Sequence, residues 1–197
     1  MSGGLRCFVA LELPEGLRET IAAHFAREGR TLSGVRWVPA GNLHLTLKFL
    51  GELDAKRLPA LEGALTEALL GHAPFSLALR GAGAFPSPER ARVIWVGAGT
   101  GASEVSALAA SVEAALTPLG FSPEERPFSP HLTVGRVKTP PRDRGALRKL
   151  LDAVRDREWG EWVVSAAHLV RSELFPAGPI YSILHTATLP EKPGQGR

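Results

Sequence analysis

A single cysteine, Cys7, rules out any intrachain disulfide and any CxxC redox or zinc site, and points to a reducing compartment. Asparagine and glutamine, like cysteine, occur once each, and methionine only at position 1. With arginine outnumbering lysine 18 to 5, this shortage of heat-labile side chains is the composition of a heat-adapted protein or of a GC-rich genome. No apolar run approaches the ~18 residues of a membrane span, and no basic start leads into an apolar stretch with a small-residue cleavage site. A soluble, cytoplasmic chain is therefore expected. Charge of one sign is lacking too: 23 basic against 20 acidic side chains leave a net of +3, too little for a polycation but compatible with an anionic ligand.

What is present reads as one globular unit. At 197 residues a folded chain hides roughly 70% of its extended surface, and the 44% hydrophobic content is enough to fill the core this creates. Apolar, β-branched runs predict strands at 5–11, 35–38, 44–50, 75–79, 91–96, 131–137, 161–170 and 180–187. Helical spacing of apolar residues predicts helices at 14–28, 55–70, 104–116 and 144–156, with Gly/Pro-rich loops between, one of them at 81–90. Strands and helices in this order favour α+β over a doubly wound sheet.

The most informative feature is a repeat. His44-Leu45-Thr46-Leu47 returns 87 residues later as His131-Leu132-Thr133-Val134. With six histidines and ten threonines, chance would place Thr two positions after His about 0.3 times. Each copy opens a predicted strand, and strand alternation sends His and Thr to one face and the apolar pair to the core. Two imidazoles, one neutral and one protonated, supply a general base and a general acid, while two hydroxyls can donate to the nonbridging oxygens of a phosphoryl group. The set suffices for attack at phosphorus without a metal. No HExxH, no cysteine pair and no carboxylate within four residues of either histidine suggests a metal site. Lys48 shares parity with His44 and Thr46 and is a further candidate for the phosphate. The other histidines, 24, 72, 168 and 185, have no such threonine and are read as structural.

Beyond the tetrapeptides, Arg6–Ala10, Trp37–Leu43 leading into His44–Gly51, Val93–Gly97, Pro130–Val137, Leu169–Ser172 and Tyr181 together resemble the two-histidine phosphoesterases. Within them the chain is most similar to the bacterial and archaeal RNA 2′,3′-cyclic phosphodiesterases once described as 2′-5′ RNA ligases. The resemblance implies a bilobal α+β fold, with two antiparallel-rich sheets, flanking helices, an internal pseudo-twofold repeat and a central cleft. It implies one domain over 1–189, followed by a disordered tail at 190–197. The implied reaction is metal- and cofactor-free hydrolysis of a terminal 2′,3′-cyclic phosphate to a 2′-phosphate. His44 would donate a proton to the leaving 3′ oxygen and His131 would accept one from water, an assignment that spacing alone leaves open. The partner would be RNA, tRNA-derived ends included, met by a monomer.

Arg136 matches the family's arginine after the second motif. Strict alternation puts it opposite His131 unless a bulge near Gly135 re-aims it. Phe8 is a candidate to stack on a terminal base. Between 136 and 149 the chain carries six basic residues and one acid, a stretch able to guide RNA phosphates. Alternatives are 2′-5′ ligation, hydrolysis of another cyclic phosphate such as an ADP-ribose derivative, and a non-catalytic module that binds RNA ends.

Overall fold

The computed structural model describes residues 4–139, 144–176 and 178–191, and among them four α-helices and nine strands. The strands are β1 (Leu5–Glu12), β2 (Val35–Trp37), β3 (His44–Leu53), β4 (Phe75–Phe85), β5 (Val93–Ala98), β6 (His131–Val137), β7 (Glu158–Val164), β8 (Ala166–Phe175) and β9 (Gly178–Thr188). The helices are α1 (Glu15–Glu28), α2 (Leu58–Leu69), α3 (Ala102–Leu116) and α4 (Arg144–Ala153).

All nine strands join one antiparallel sheet in the order β7-β4-β5-β6-β3-β1-β8-β9, with β2 on β6. The order is balanced about the β6–β3 seam. Outward from it β3 pairs with β1 and β6 with β5, and two more strands follow on each side, β8 and β9 beyond β1, β4 and β7 beyond β5. The two sheets expected are thus two halves of one, joined where Leu45 of β3 pairs with Leu132 of β6. Beyond that pair β6 turns to β2 instead, through Val35, Arg36 and Trp37, so the halves splay apart.

The apolar stripes of the helices decide which half each covers. Leu61, Leu65 and Leu69 of α2 pack with Val105, Leu108, Val112 and Leu116 of α3 on the β3-β1-β8-β9 half, here lobe 1. Ile21 and Phe25 of α1 pack with Leu147, Leu150 and Leu151 of α4 on the other half, lobe 2. Helix α1 follows a lobe 1 strand yet covers lobe 2, and α3 does the reverse. The lobes therefore exchange helices, and each core is completed by chain from the other.

Most predicted elements are found with ends moved by one to three residues, and three differences bear on the fold. The strand read at 75–79 continues through the glycine-rich stretch to Phe85, because β5 pairs with it on both sides of an irregularity at Gly81 and Ala82. The strand read at 161–170 is two strands broken at Ser165: Val164 pairs with Phe75 on lobe 2, and Ala166 with Thr188 on lobe 1. Both pieces line a core, so the apolar run is unbroken and carries no Gly or Pro to mark the crossing. Helix α4 stops at Ala153 rather than 156.

Candidate active site

The two motif strands meet at their histidine ends. In an antiparallel ladder the positions flanking Leu45–Leu132 face each other, which sets His44 across from Thr133 and Thr46 across from His131. All four side chains rise from the face that the helices leave free, while Leu45, Leu47, Leu132 and Val134 enter the cores.

Both imidazoles are held in the same way. His44 Nδ1 lies 2.9 Å from the carbonyl oxygen of Asn42, and His131 Nδ1 lies 2.8 Å from that of Ser129. A carbonyl can only accept, so Nδ1 carries the proton in each ring and Nε2 is left for chemistry. Aromatic neighbours complete the hold. Phe8 stacks on His44 with centroids 4.6 Å apart, Tyr181 meets His44 edge-on at 5.1 Å, and Phe85 meets His131 edge-on at 5.1 Å. Burial among these rings pushes the His44 pKa down to about 4; the bond to Asn42 works the other way, and the Arg136 charge adds to the lowering. The free protein therefore holds His44 neutral at pH 7.

Three candidates are re-placed by backbone register. In β3, Ala10 faces Thr46 but Val9 faces Lys48, so Leu47 is an extra, bulged residue. The bulge turns Lys48 inward. It is 3% exposed, and its ammonium donates to Ser122 O at 2.9 Å and lies 3.4 Å from Glu113 of α3. Lys48 is thus a buried structural cation and not part of the cleft, and Phe49 takes its place on the open face. In β6 the same event helps: Trp95 faces Thr133 and Ile94 faces Gly135, so Val134 is bulged and Arg136 returns to the face of His131. Its charge reaches both His44 and Tyr181. Phe49 and Arg136, each five residues beyond its histidine, are counterparts in the repeat. Phe8, expected to stack on a base, is 4% exposed because its ring face is taken up by His44; it supports the imidazole instead.

The repeat, the shared tautomer and the fold can be set beside known proteins. The family model of the 2′-5′ RNA ligase superfamily matches residues 15–174. The chain belongs to the 2′-5′ RNA ligase superfamily. A relative from Methanothermobacter thermautotrophicus, named RNA 2′,3′-cyclic phosphodiesterase, is 42% identical over 182 residues, covering 90% of this chain and 95% of its own. One of the same name from Aeropyrum pernix is 43% identical over 144 residues, 73% of this chain and 80% of its own. Among solved structures, one from Thermus thermophilus superposes with a TM-score of 0.80 at 33% identity, covering 95% of this chain and 99% of that one. E. coli LigT complexed with 3′-AMP gives 0.76 at 28%, with the same coverage.

Within this superfamily fold, several site neighbours were not picked out from sequence. Tyr181 of β9 and the Asn42 backbone stand against His44, and the Asn42 side chain donates to Pro179 O at 3.0 Å, tying the turn before β3 to the β8–β9 hairpin. A usable signal existed, since these are the chain's one tyrosine and one asparagine. A recess beside His44 is lined by Phe8, Glu12, Arg18, Tyr181 and Ile183. A wider, shallower depression between α2 and α3 is lined mainly by alanines and lies away from both motifs. The other histidines are engaged elsewhere: His24 with Arg157, His72 with Ser111, His168 with Thr186 and His185 with Thr66. Of the basic stretch, Arg142 lies outside the described residues, and Arg148 is paired with Glu89 and Asp152. Among the described residues, no three His, Cys, Asp or Glu side chains gather as a metal site, and no helix is long and apolar enough to cross a membrane.

Proposed function

We propose that this chain adds water to the 2′,3′-cyclic phosphate at an RNA end, leaving a 2′-phosphomonoester and a free 3′-hydroxyl. The observation that carries the reading is the matched pair of His-x-Thr strands joined at Leu45–Leu132, each imidazole with Nδ1 fixed and Nε2 free. Relatives bearing the name of this activity, at up to 43% identity, support it.

In the proposed mechanism His131 Nε2 takes a proton from water as the water oxygen bonds to phosphorus. The bond from phosphorus to the 3′ oxygen breaks, and His44 Nε2–H delivers the proton that this oxygen needs. The Thr46 and Thr133 hydroxyls donate to the nonbridging oxygens, and the Arg136 guanidinium balances their charge. His44 is neutral in the free site, so its acid role requires the bound phosphate, whose negative charge favours the imidazolium. Proton transfer by imidazoles calls on no metal.

The unit doing this is residues 1–189; the exchange of α1 and α3 between lobes supports treating it as one domain. Of the tail at 190–197, residues 192–197 lie outside the described residues. The protein acts as a monomer in the cytoplasm on RNA ends, tRNA-derived ones among them. Product analysis of a short RNA ending in a 2′,3′-cyclic phosphate, with and without EDTA, tests the reading. A 2′-phosphate end formed equally in both supports it. No turnover, joined RNA as the sole product, or activity lost to EDTA and restored by a divalent ion would each refute it.

A further inference from the structure

The aromatic rings around the two motifs differ between the lobes. On lobe 1 Phe8 is buried under His44, and Phe49 stands 59% exposed on the cleft face. On lobe 2 Trp95 lies directly across from Thr133, so its side chain rises from the same face as the second motif. Two glycines decide where its ring goes. A Cβ on Gly83 of β4 would sit 2.3 Å from the indole Cζ2, and one on Gly97 would sit 3.2 Å from Cζ3. The indole therefore lies down along the sheet over Gly83, with its far edge at Gly97, and any side chain at Gly83 would push it up.

Phe85 packs against the ring at a tilt, centroids 5.2 Å apart at 34°, and itself touches His131. Among the described residues the buried indole Nε1 has no hydrogen-bond partner, and packing holds the ring. Trp95 as a whole is half-buried. One face rests on the sheet over Gly83, and the part of the ring left exposed lies on the side of the sheet that carries the second motif, as a base-stacking platform requires.

We propose that Trp95 is the platform for a second nucleobase, that of the nucleotide preceding the cyclic phosphate, so that the substrate is an RNA end of at least two nucleotides rather than a cyclic mononucleotide. The proposal rests on the phosphodiesterase reading above. A phosphate held between Thr46 and Thr133 has an aromatic ring on either side, the exposed Phe49 on one lobe and the partly exposed Trp95 on the other. A mononucleotide has one base and covers one of them; an RNA end has a second base for the other. Stacking accepts any base, so the platform selects for chain length and not for sequence.

The test compares a trinucleotide and a mononucleotide, both carrying a 2′,3′-cyclic phosphate, on the parent, Trp95→Phe and Trp95→Ala. Trp95→Ala should raise KM for the trinucleotide roughly 5- to 150-fold with kcat little changed, as loss of one stacked base implies. Trp95→Phe should stay near the parent, and KM for the mononucleotide should not move in either variant. A trinucleotide abasic at the penultimate position should show the Trp95→Ala loss already on the parent. Equal KM changes for both substrates, or none for the trinucleotide, would overturn the proposal. If the parent opens neither cyclic phosphate, the phosphodiesterase reading fails by itself. The platform is then judged by the Kd of a 2′-phosphate-ended trinucleotide, which Trp95→Ala should raise by the same factor and which, left unchanged, refutes it.

Discussion

Leu45 and Leu132, the central apolar residues of the two repeated tetrapeptides, pair with each other, and among the described residues this is the one register pair through which the two lobes' motif strands meet. Because each leucine points into its own lobe's core, the residues on either side are driven together on the opposite face. The seam that joins the sheet is thus also what assembles the candidate site.

Removing either histidine takes away one proton transfer. His131→Ala should lower kcat by ~10²- to 10⁴-fold and Tm only slightly, since the ring is only partly buried and is held by the Ser129 carbonyl and one edge-on contact with Phe85. His44→Ala should lower kcat by as much and Tm as well, because Phe8 and Tyr181 lose the ring between them. Steady-state kinetics with thermal melts check both; rates within threefold of the parent for either variant would refute the acid and base pair.

The His44 pKa of about 4 lies below the 6.5 of an unfolded histidine, so the unfolded chain takes up that proton first as pH falls. Stability tied to neutral His44 is complete above about 6.5 and is lost as pH drops through 4, to the extent of up to about 3 kcal/mol. Urea unfolding at several pH values should show the parent losing ground to His44→Gln over this window. Titration by NMR should find His44 neutral from pH 5 to 8 in the free protein, and the kcat/KM profile should carry its limb near pH 4. In the complex the phosphate raises that limb, so the kcat profile should carry it at higher pH.

Lys48→Met should cost stability and spare chemistry. The substitution strands the Ser122 carbonyl and leaves Glu113 without its cation, a loss on the order of 2 kcal/mol. Denaturant unfolding should detect it, while kcat stays within about threefold. A large fall in kcat at unchanged stability would return Lys48 to the cleft.

Arg136→Ala should reduce kcat/KM roughly 10- to 100-fold, the worth of one hydrogen bond to a charged group. It should also raise the His44 pKa in the free protein, because the guanidinium lowers it. Arg136→Lys should keep the His44 pKa low while recovering only part of kcat/KM. NMR titration alongside kinetics separates the two effects.

The sequence by itself determined the repeat, the faces of the motif strands and most of the helices. These follow from alternation and helical spacing, which act over a few residues and need no partner. Even Tyr181 and Asn42 were marked by rarity, though nothing local said what they touch. Tertiary structure decided what depends on pairing. Parity put Lys48 in the cleft and, unless a bulge near Gly135 intervened, Arg136 out of it, and one extra residue, Leu47 in β3 and Val134 in β6, opposite consecutive residues of β1 and β5, reversed both. A bulge is a property of two strands, so neither tetrapeptide could announce it. The crossing at Ser165, the joining of the two half-sheets and the depressed pKa of His44 have the same origin. Each depends on side chains or backbone brought from distant parts of the chain, and only the folded cores bring them there.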